Sequence, residues 1–383
     1  MKIQRIRIKG FKVFKEAEIQ NLSNPSVFLG ANGSGKSSLF DALSFLSDAV
    51  KEDAASAVSR RGGFKEIVSK GQTDDITFEI GFQNHDTNVT YTLSVGLDKN
   101  HPVVKKEVLR ADACELMNFN KGEGIAVSNE EEYEAGKPKK TEEQLLDAPD
   151  ILALKGLGQF RRFKTASSLR KLLEKWHVLD FDIHEVRLTR RSLADGHLTS
   201  TGDNLAYVAQ YIYQNHPAIF DEILGKMRKQ IPEFSDIEPV ETVDRRVILQ
   251  FKDRKFGTPF PPRHVSDGTL KLFAYLLLLH DPRPYPLLCV EEPENHLHPD
   301  LLPELAEEFR EYANRGGQVF VSTHSPEFVN ALKVEELSWL TRKEGFSKVS
   351  HAEDDPVIRA LCEAGDPLGA LWTQNYLKGG GIR

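Results

Sequence analysis

The chain has 383 residues, carries 50 Lys and Arg against 57 Asp and Glu for a net charge of −7, and is 40% hydrophobic and 28% charged. At about 150 residues per domain this length predicts two domains or one large domain with an insertion, and the composition excludes a disordered or collagen-like chain. The sequence has neither the roughly 18 consecutive apolar residues of a membrane span nor a signal-peptide core after Met1, so a soluble cytoplasmic protein is expected. Cys114, Cys289 and Cys362 are far apart and lack CxxC spacing, which argues against a disulfide framework and a zinc site.

In chain order, Ile3, Ile6 and Ile8 among charged residues predict a first strand, and Ala17 to Ile19 a second. Val27-Phe28-Leu29 predicts a short buried strand that ends at Gly30. A Gly/Ser/Asn loop follows, and Leu39, Phe40, Leu43, Leu46 and Val50 keep helical spacing beyond it. Period-two runs at 76–80 and 89–95 predict an antiparallel meander. Residues 113–150, with Glu130-Glu131-Glu132 and Lys137-Pro138-Lys139-Lys140, read as a charged hairpin or insertion. Helical spacing returns at 167–176 and at 204–231, and 247–251 reads as a strand. The division expected is an N-terminal lobe over 1–112, an inserted lobe over 113–235, and a C-terminal lobe over 236–383.

Gly30-Ala31-Asn32-Gly33-Ser34-Gly35-Lys36-Ser37 matches the P-loop pattern GxxxxGK[ST]. The chemistry needs glycines because the backbone must curl around phosphate oxygens with its N–H groups aimed inward, where the following helix adds its dipole. Asn32, Gly33, Ser34, Gly35, Lys36, Ser37 and Ser38 are the expected phosphate-binding residues. Lys36 would reach the β- and γ-phosphates of ATP, and the Ser37 hydroxyl would bind Mg²⁺. Further on, Pro286 to Val290 predicts a buried strand ending in Glu291-Glu292-Pro293-Glu294. Glu291 is the expected metal-shell carboxylate and Glu292 the residue that polarises the attacking water. Between these motifs, Val265-Ser266-Asp267-Gly268-Thr269 precedes the apolar helix 270–279 as a second anion-binding turn. A third buried strand, from Gln318, ends in Ser322-Thr323-His324-Ser325-Pro326, which places His324 where ligands gather in α/β sheets.

This succession resembles the ABC-type ATPases of the RecF/SMC/OLD group, closely over 1–50 and 262–341, and especially their stand-alone branch. The resemblance implies an α/β P-loop NTPase fold, an ABC-type head with an antiparallel β subdomain and an inserted mixed or helical lobe. It further implies a head-to-tail homodimer in which Ser266, Asp267 and Gly268, the signature, contact the γ-phosphate held by the other subunit. Asn295 to His298 would form the D-loop, His324 would be the switch histidine, and Lys12 would contact nucleotide. The metal-contacting glutamine of the Q-loop is assigned to Gln159, with Gln72 as the second choice. Two positions depart from the family pattern: Glu291 replaces the usual Asp, and VSDGT replaces LSGGQ, so that Asp267 brings a carboxylate to a phosphate site.

The interval between Ser37 and Ser266 has room for a lobe but not for long arms, and the residues after His324 are too few for a TOPRIM nuclease domain. The leading expectation is a dimeric Mg-ATP switch acting with a separately encoded effector, such as a nuclease or toxin, in antiphage defence or a toxin–antitoxin pair. The alternatives are a RecF-like DNA-repair ATPase and a nucleotide-gated scaffold with negligible turnover. For DNA or RNA the candidate patch is Arg161, Arg162, Lys164, Arg170 and Lys171 beside Phe160 and Phe163, with Arg187, Arg190 and Arg191.

Overall fold

The computed structural model describes residues 1–71, 75–84, 86–187, 197–255 and 257–377. Its chain forms two compact units. The first comprises Met1–Trp176, Val334–Asp366 and the segment from Leu371; the second comprises His177–Lys333 with Pro367–Ala370.

In the first unit, β1 (Lys2–Phe11), β2 (Phe14–Ile19) and β3 (Ser26–Leu29) precede the helix Lys36–Lys51. Then come β4 (Ile76–Asn84), β5 (Thr87–Asp98), β6 (His101–Ala111), β7 (Cys114–Asn120), β8 (Glu123–Val127) and β9 (Thr141–Leu145). All of these strands except β3 form one sheet in the order β2-β1-β4-β5-β6-β7-β8-β9, with antiparallel pairing throughout. The period-two pattern explains its buried face: Ile76, Phe78, Ile80 and Phe82 on β4, and Val89, Tyr91, Leu93 and Val95 on β5, are at most 2% exposed. Phe45 of the helix stacks on Phe78 at 5.2 Å and meets Phe11 at 6.0 Å, so the helix lies on that face.

The boundary expected at 112/113 does not coincide with a structural one. Strands β7 to β9 extend the meander, and the charges of 130–140 fall in a short helix and a loop between β8 and β9. Glu107 fixes the next segment to the sheet. Its buried carboxylate accepts from Tyr91 Oη (2.8 Å) and from the N–H groups of Ala153 (2.5 Å) and Leu154 (2.8 Å), while burial pushes its pKa up to about 7.

Around the unit boundary lies β10 (Trp176–Leu179). The helical stretch 204–231 of the second unit is two helices, Leu205–Asn215 and Pro217–Gln230, because Pro217 has no N–H and starts a new helix. The hairpin β11 (Phe234–Glu241) and β12 (Val247–Asp253) follows. Helix Asp267–Leu279 is buried at every position from Leu270 onward. Phe273 packs edge-on against Phe220 and Phe251, and Tyr275 against Phe309. Strands β13 (Leu287–Glu291) and β14 (Gln318–Thr323) pair in parallel, with Glu291 opposite Ser322.

The chain then returns to the first unit with β15 (Leu337–Lys343) and β16 (Phe346–His351). β15 pairs in parallel with β3, Trp339 opposite Leu29, and antiparallel with β16. Among the described residues, no helix is long and apolar enough to cross a membrane.

Candidate active site

In the first unit, the turn between β3 and the helix Lys36–Lys51 can be made only by this glycine pattern. Gly33 and Gly35 have φ of +77° and +111°, the left-handed region that side chains disfavour. A Cβ on Gly30 would run into Ser34 Oγ, and one on Gly35 would come within 2.9 Å of Val13 Cγ2. From β16, Ser347 Oγ donates to Ser34 O at 2.5 Å and holds the turn from behind. Lys36 Nζ bends over the loop to donate to Gly30 O (2.7 Å) and reaches Ala31 O at 3.5 Å. Gly35 precedes the helix without a side chain, so no side-chain cap competes with a ligand for the first-turn N–H groups.

Ser34 Oγ is buried and lacks a hydrogen-bond partner, while Ser37 lies exposed on the first helical turn. Asn32 and Gly33 are exposed at the rim, and Ser38 is half-buried. A glycine turn leading into a helix start, an ammonium on loop carbonyls and an orphaned hydroxyl fit a triphosphate with its cation. Lys12 Nζ, by contrast, is paired at 2.7 Å with Asp41 of the same helix, whose other oxygen takes Arg61 Nε at 2.7 Å. Gln159 sits exposed after helix Ala153–Leu157 and donates back to Lys155 O at 3.4 Å. Gln72 lies outside the described residues.

In the second unit, the acidic turn is built at the ends of β13 and β14. Glu292 leaves the strand with φ +43° and donates its N–H to Ser322 O at 2.8 Å. Its side chain accepts from Asn295 Nδ2 (3.1 Å) and lies 3.2 Å from His324 Nδ1. Glu294 accepts from Thr323 Oγ1 (2.7 Å) and from the His324 N–H (3.0 Å), and is 3.5 Å from His324 Nδ1. Its side chain is 8% exposed, and its second oxygen is buried without a partner. Lys271 donates to Asn295 O at 2.8 Å and reaches Glu292 O at 3.5 Å. Burial pulls the Lys271 ammonium down to about 8, against the opposing pull of Glu294 and Glu292.

Ser266 caps helix Asp267–Leu279 by accepting from the Thr269 N–H at 3.1 Å. A Cβ on Gly268 would lie 2.6 Å from His296 O, so glycine is what lets this helix end touch the turn after Glu292. The Asp267 carboxylate is paired with Arg187 Nη2 at 2.5 Å, and His296 Nδ1 lies 3.6 Å from its other oxygen. The Arg187 hydrogen bond holds the Asp267 carboxyl below its ordinary range. The bare carboxylate expected from VSDGT is therefore charge-compensated.

Glu294 and Lys271 are site residues that the motifs do not mark, and Arg187, expected in the nucleic-acid patch, pairs instead with Asp267. Lys271 had a signal, as the lone charge in the apolar run 270–279, since a buried charge must find partners. Glu294 had a weaker one in its position within the acidic turn. Arg187 had none, because its partner lies 80 positions away. The aromatic and basic patch of the first unit is largely paired: Arg162 with Glu142 (3.3 Å), Lys164 with Glu134 (2.9 Å) and Arg170 with Glu174 (2.5 Å). Arg162 also lies over the Phe163 ring at 4.8 Å. Arg190 and Arg191 lie outside the described residues.

Residues 26–330 match the family model described as "AAA domain, putative AbiEii toxin, Type IV TA system". A protein of Helicobacter pylori (strain ATCC 700392 / 26695) named "ATP/GTP phosphatase" is 22% identical over 353 residues, spanning 86% of this chain and 87% of that protein. The SMC head bound to the C-winged helix domain of ScpA matches with a TM-score of 0.57 at 15% identity, covering 91% of this chain and 98% of its own. An SMC head with an extended coiled coil, bound to the C-terminal domain of ScpA and derived from Pyrococcus furiosus, matches with a TM-score of 0.54, also at 15% identity, over 95% and 100%. These likenesses show the fold of a P-loop NTPase with an ABC-type head. With the family model covering most of its length, the chain belongs to this AAA-domain family and is an ATPase.

Proposed function

We propose that the chain is a Mg-ATP-driven switch that hydrolyses ATP at a head-to-tail dimer interface and acts through a partner effector. The observation that carries the nucleotide chemistry is the P-loop itself, with Lys36 Nζ donating to the loop carbonyl of Gly30 and no side-chain cap at the helix start. Lys36 exchanges Gly30 O for β- and γ-phosphate oxygens, and the N–H groups of the turn take the rest. Ser37 would give its hydroxyl to a magnesium ion, and Glu291 would hold the ion's water shell. When bound, magnesium neutralises charge on the β- and γ-phosphate oxygens.

Glu292 accepts the proton of the attacking water. Asn295 and His324 fix its two oxygens, so its carboxylate is oriented before nucleotide arrives. Nδ1 of His324 is turned to the Glu292 and Glu294 carboxylates, which leaves the Nε2 side of the ring to face the γ-phosphate. Ser266 and Gly268 present a capped helix start to the γ-phosphate of the second subunit.

The family description names a putative toxin of type IV toxin–antitoxin systems, which supports a place for this chain in such a pair. Direct DNA clamping is less well supported, since Arg162, Lys164 and Arg170 of the candidate patch are already paired with carboxylates. The test is Glu292→Gln. It should retain ATP binding, accumulate an ATP-bound dimer and lower turnover by on the order of 10²-fold or more. Unchanged turnover would reject the assignment.

A further inference from the structure

Asp267 is an acidic residue in the first turn of a helix whose start is read as a phosphate contact. An unpaired carboxylate there would oppose the helix dipole's attraction for an anion. The chain supplies a counter-charge from a distant segment. Arg187, at the end of the short helix Ile183–Val186, lies with one guanidinium nitrogen 2.5 Å from Asp267 Oδ1 and 2.8 Å from Val265 O. Its other terminal nitrogen donates to Pro262 O. One planar cation thus spans the approach to Ser266 and the carboxylate just after it, a fork that lysine could not reproduce. The second Asp267 oxygen faces His296.

We infer that Arg187 is a positioning residue for ATP-dependent dimerisation: it cancels the charge of Asp267 so that Ser266 and Gly268 can meet the γ-phosphate held by a second copy of the chain. The inference rests on the head-to-tail reading above. It identifies what offsets the departure from the glycine-rich signature, and it removes Arg187 from the nucleic-acid patch.

The experiment compares variants in the Glu292→Gln background, following ATP-dependent dimer by light scattering and nucleotide binding to the dilute subunit with a fluorescent ATP analogue. Arg187→Ala should weaken the ATP-dependent dimer by about tenfold or more, the order of a lost charge pair, and leave nucleotide affinity unchanged. Asp267→Asn alone should dimerise at least as well as the parent. Arg187→Ala combined with Asp267→Asn should recover the dimer to within about threefold of the parent, because the neutral amide needs no counter-charge. A role confined to holding the loop carbonyls would give no such recovery.

Should Arg187→Ala not fold, Arg187→Gln keeps a hydrogen-bonding side chain and carries the same comparison. Dimerisation unaffected by either Arg187 variant, or a double variant as weak as the single one, overturns the inference. A parent that stays monomeric with ATP removes the head-to-tail reading, and this inference with it.

Discussion

Lys271 is a buried charge beside the acidic turn, and its cost can be read against pH. Burial lowers it from 10.5 to about 8. The unfolded chain therefore keeps a proton that the folded chain releases across that window, and wild-type stability rises as pH increases from about 8 to 10.5. At pH 7, holding the ammonium in place costs about 3 kcal/mol relative to an unshifted lysine; at pH 9.5, where most native molecules have released the proton, about 1 kcal/mol remains. Lys271→Met keeps the stem's volume and removes the charge.

The stability of Lys271→Met minus that of wild type should fall by about 2 kcal/mol between pH 7 and 9.5, because the variant lacks the rise. Urea denaturation followed by circular dichroism, run on both proteins at matched pH, measures this difference with the other titrating groups cancelled. The variant also loses the donor to Asn295 O and Glu292 O, so its turnover should drop by about tenfold, the equivalent of one charge-assisted hydrogen bond. A stability difference that stays constant over the pH range would refute the account of Lys271 as a charge held under desolvation.

Three further substitutions address separate parts of the site. Lys36→Ala should abolish ATP binding, measured by equilibrium dialysis, and retained affinity would reject the P-loop assignment. Ser266→Arg should leave nucleotide binding intact and block ATP-dependent dimerisation by wedging the signature surface, so a dimer seen by light scattering would undermine the shared site. In Gly268→Ala the added Cβ would stand 2.6 Å from His296 O, a backbone atom that cannot rotate away. Overpacking of this kind costs about 1–3 kcal/mol, which should appear as a lowered melting temperature and reduced turnover with ATP binding retained.

The parts of the molecule legible in the sequence were those encoded over short spans. The P-loop is one turn between a strand and a helix, and its glycines, Lys36 and Ser37 are adjacent in sequence and in space. The same holds for Glu291 and Glu292 at the end of β13 and for Ser266 as a helix cap. The meander was legible from its period-two runs. Its continuation into β7–β9 was not, because the short runs Cys114–Asn120 and Glu123–Val127 lead into a charged stretch that resembles an insertion. The 204–231 stretch kept its periodicity across a break that Pro217 imposes. Arg187, whose partners lie beyond Pro262, was invisible for a different reason: nothing local to an arginine records which distant carbonyl it will meet.

Long-range contacts of this kind give the second unit a mechanical property that no single motif carries. The helix Asp267–Leu279 is fastened to the acidic turn twice, by Lys271 on Asn295 O and by the close approach of Gly268 to His296 O. His296 has φ +68°, so the turn already occupies a sparsely populated conformation and has little room to adjust independently. A displacement of the helix start is therefore passed to Asn295, which donates to Glu292, and Glu292 in turn lies against His324. If a second subunit's γ-phosphate docks on Ser266, the same shift reorients the carboxylate proposed to activate water. Dimerisation and hydrolysis would then be coupled through packed atoms within one unit, and Gly268→Ala should impair both together while Lys36→Ala removes nucleotide binding upstream of either.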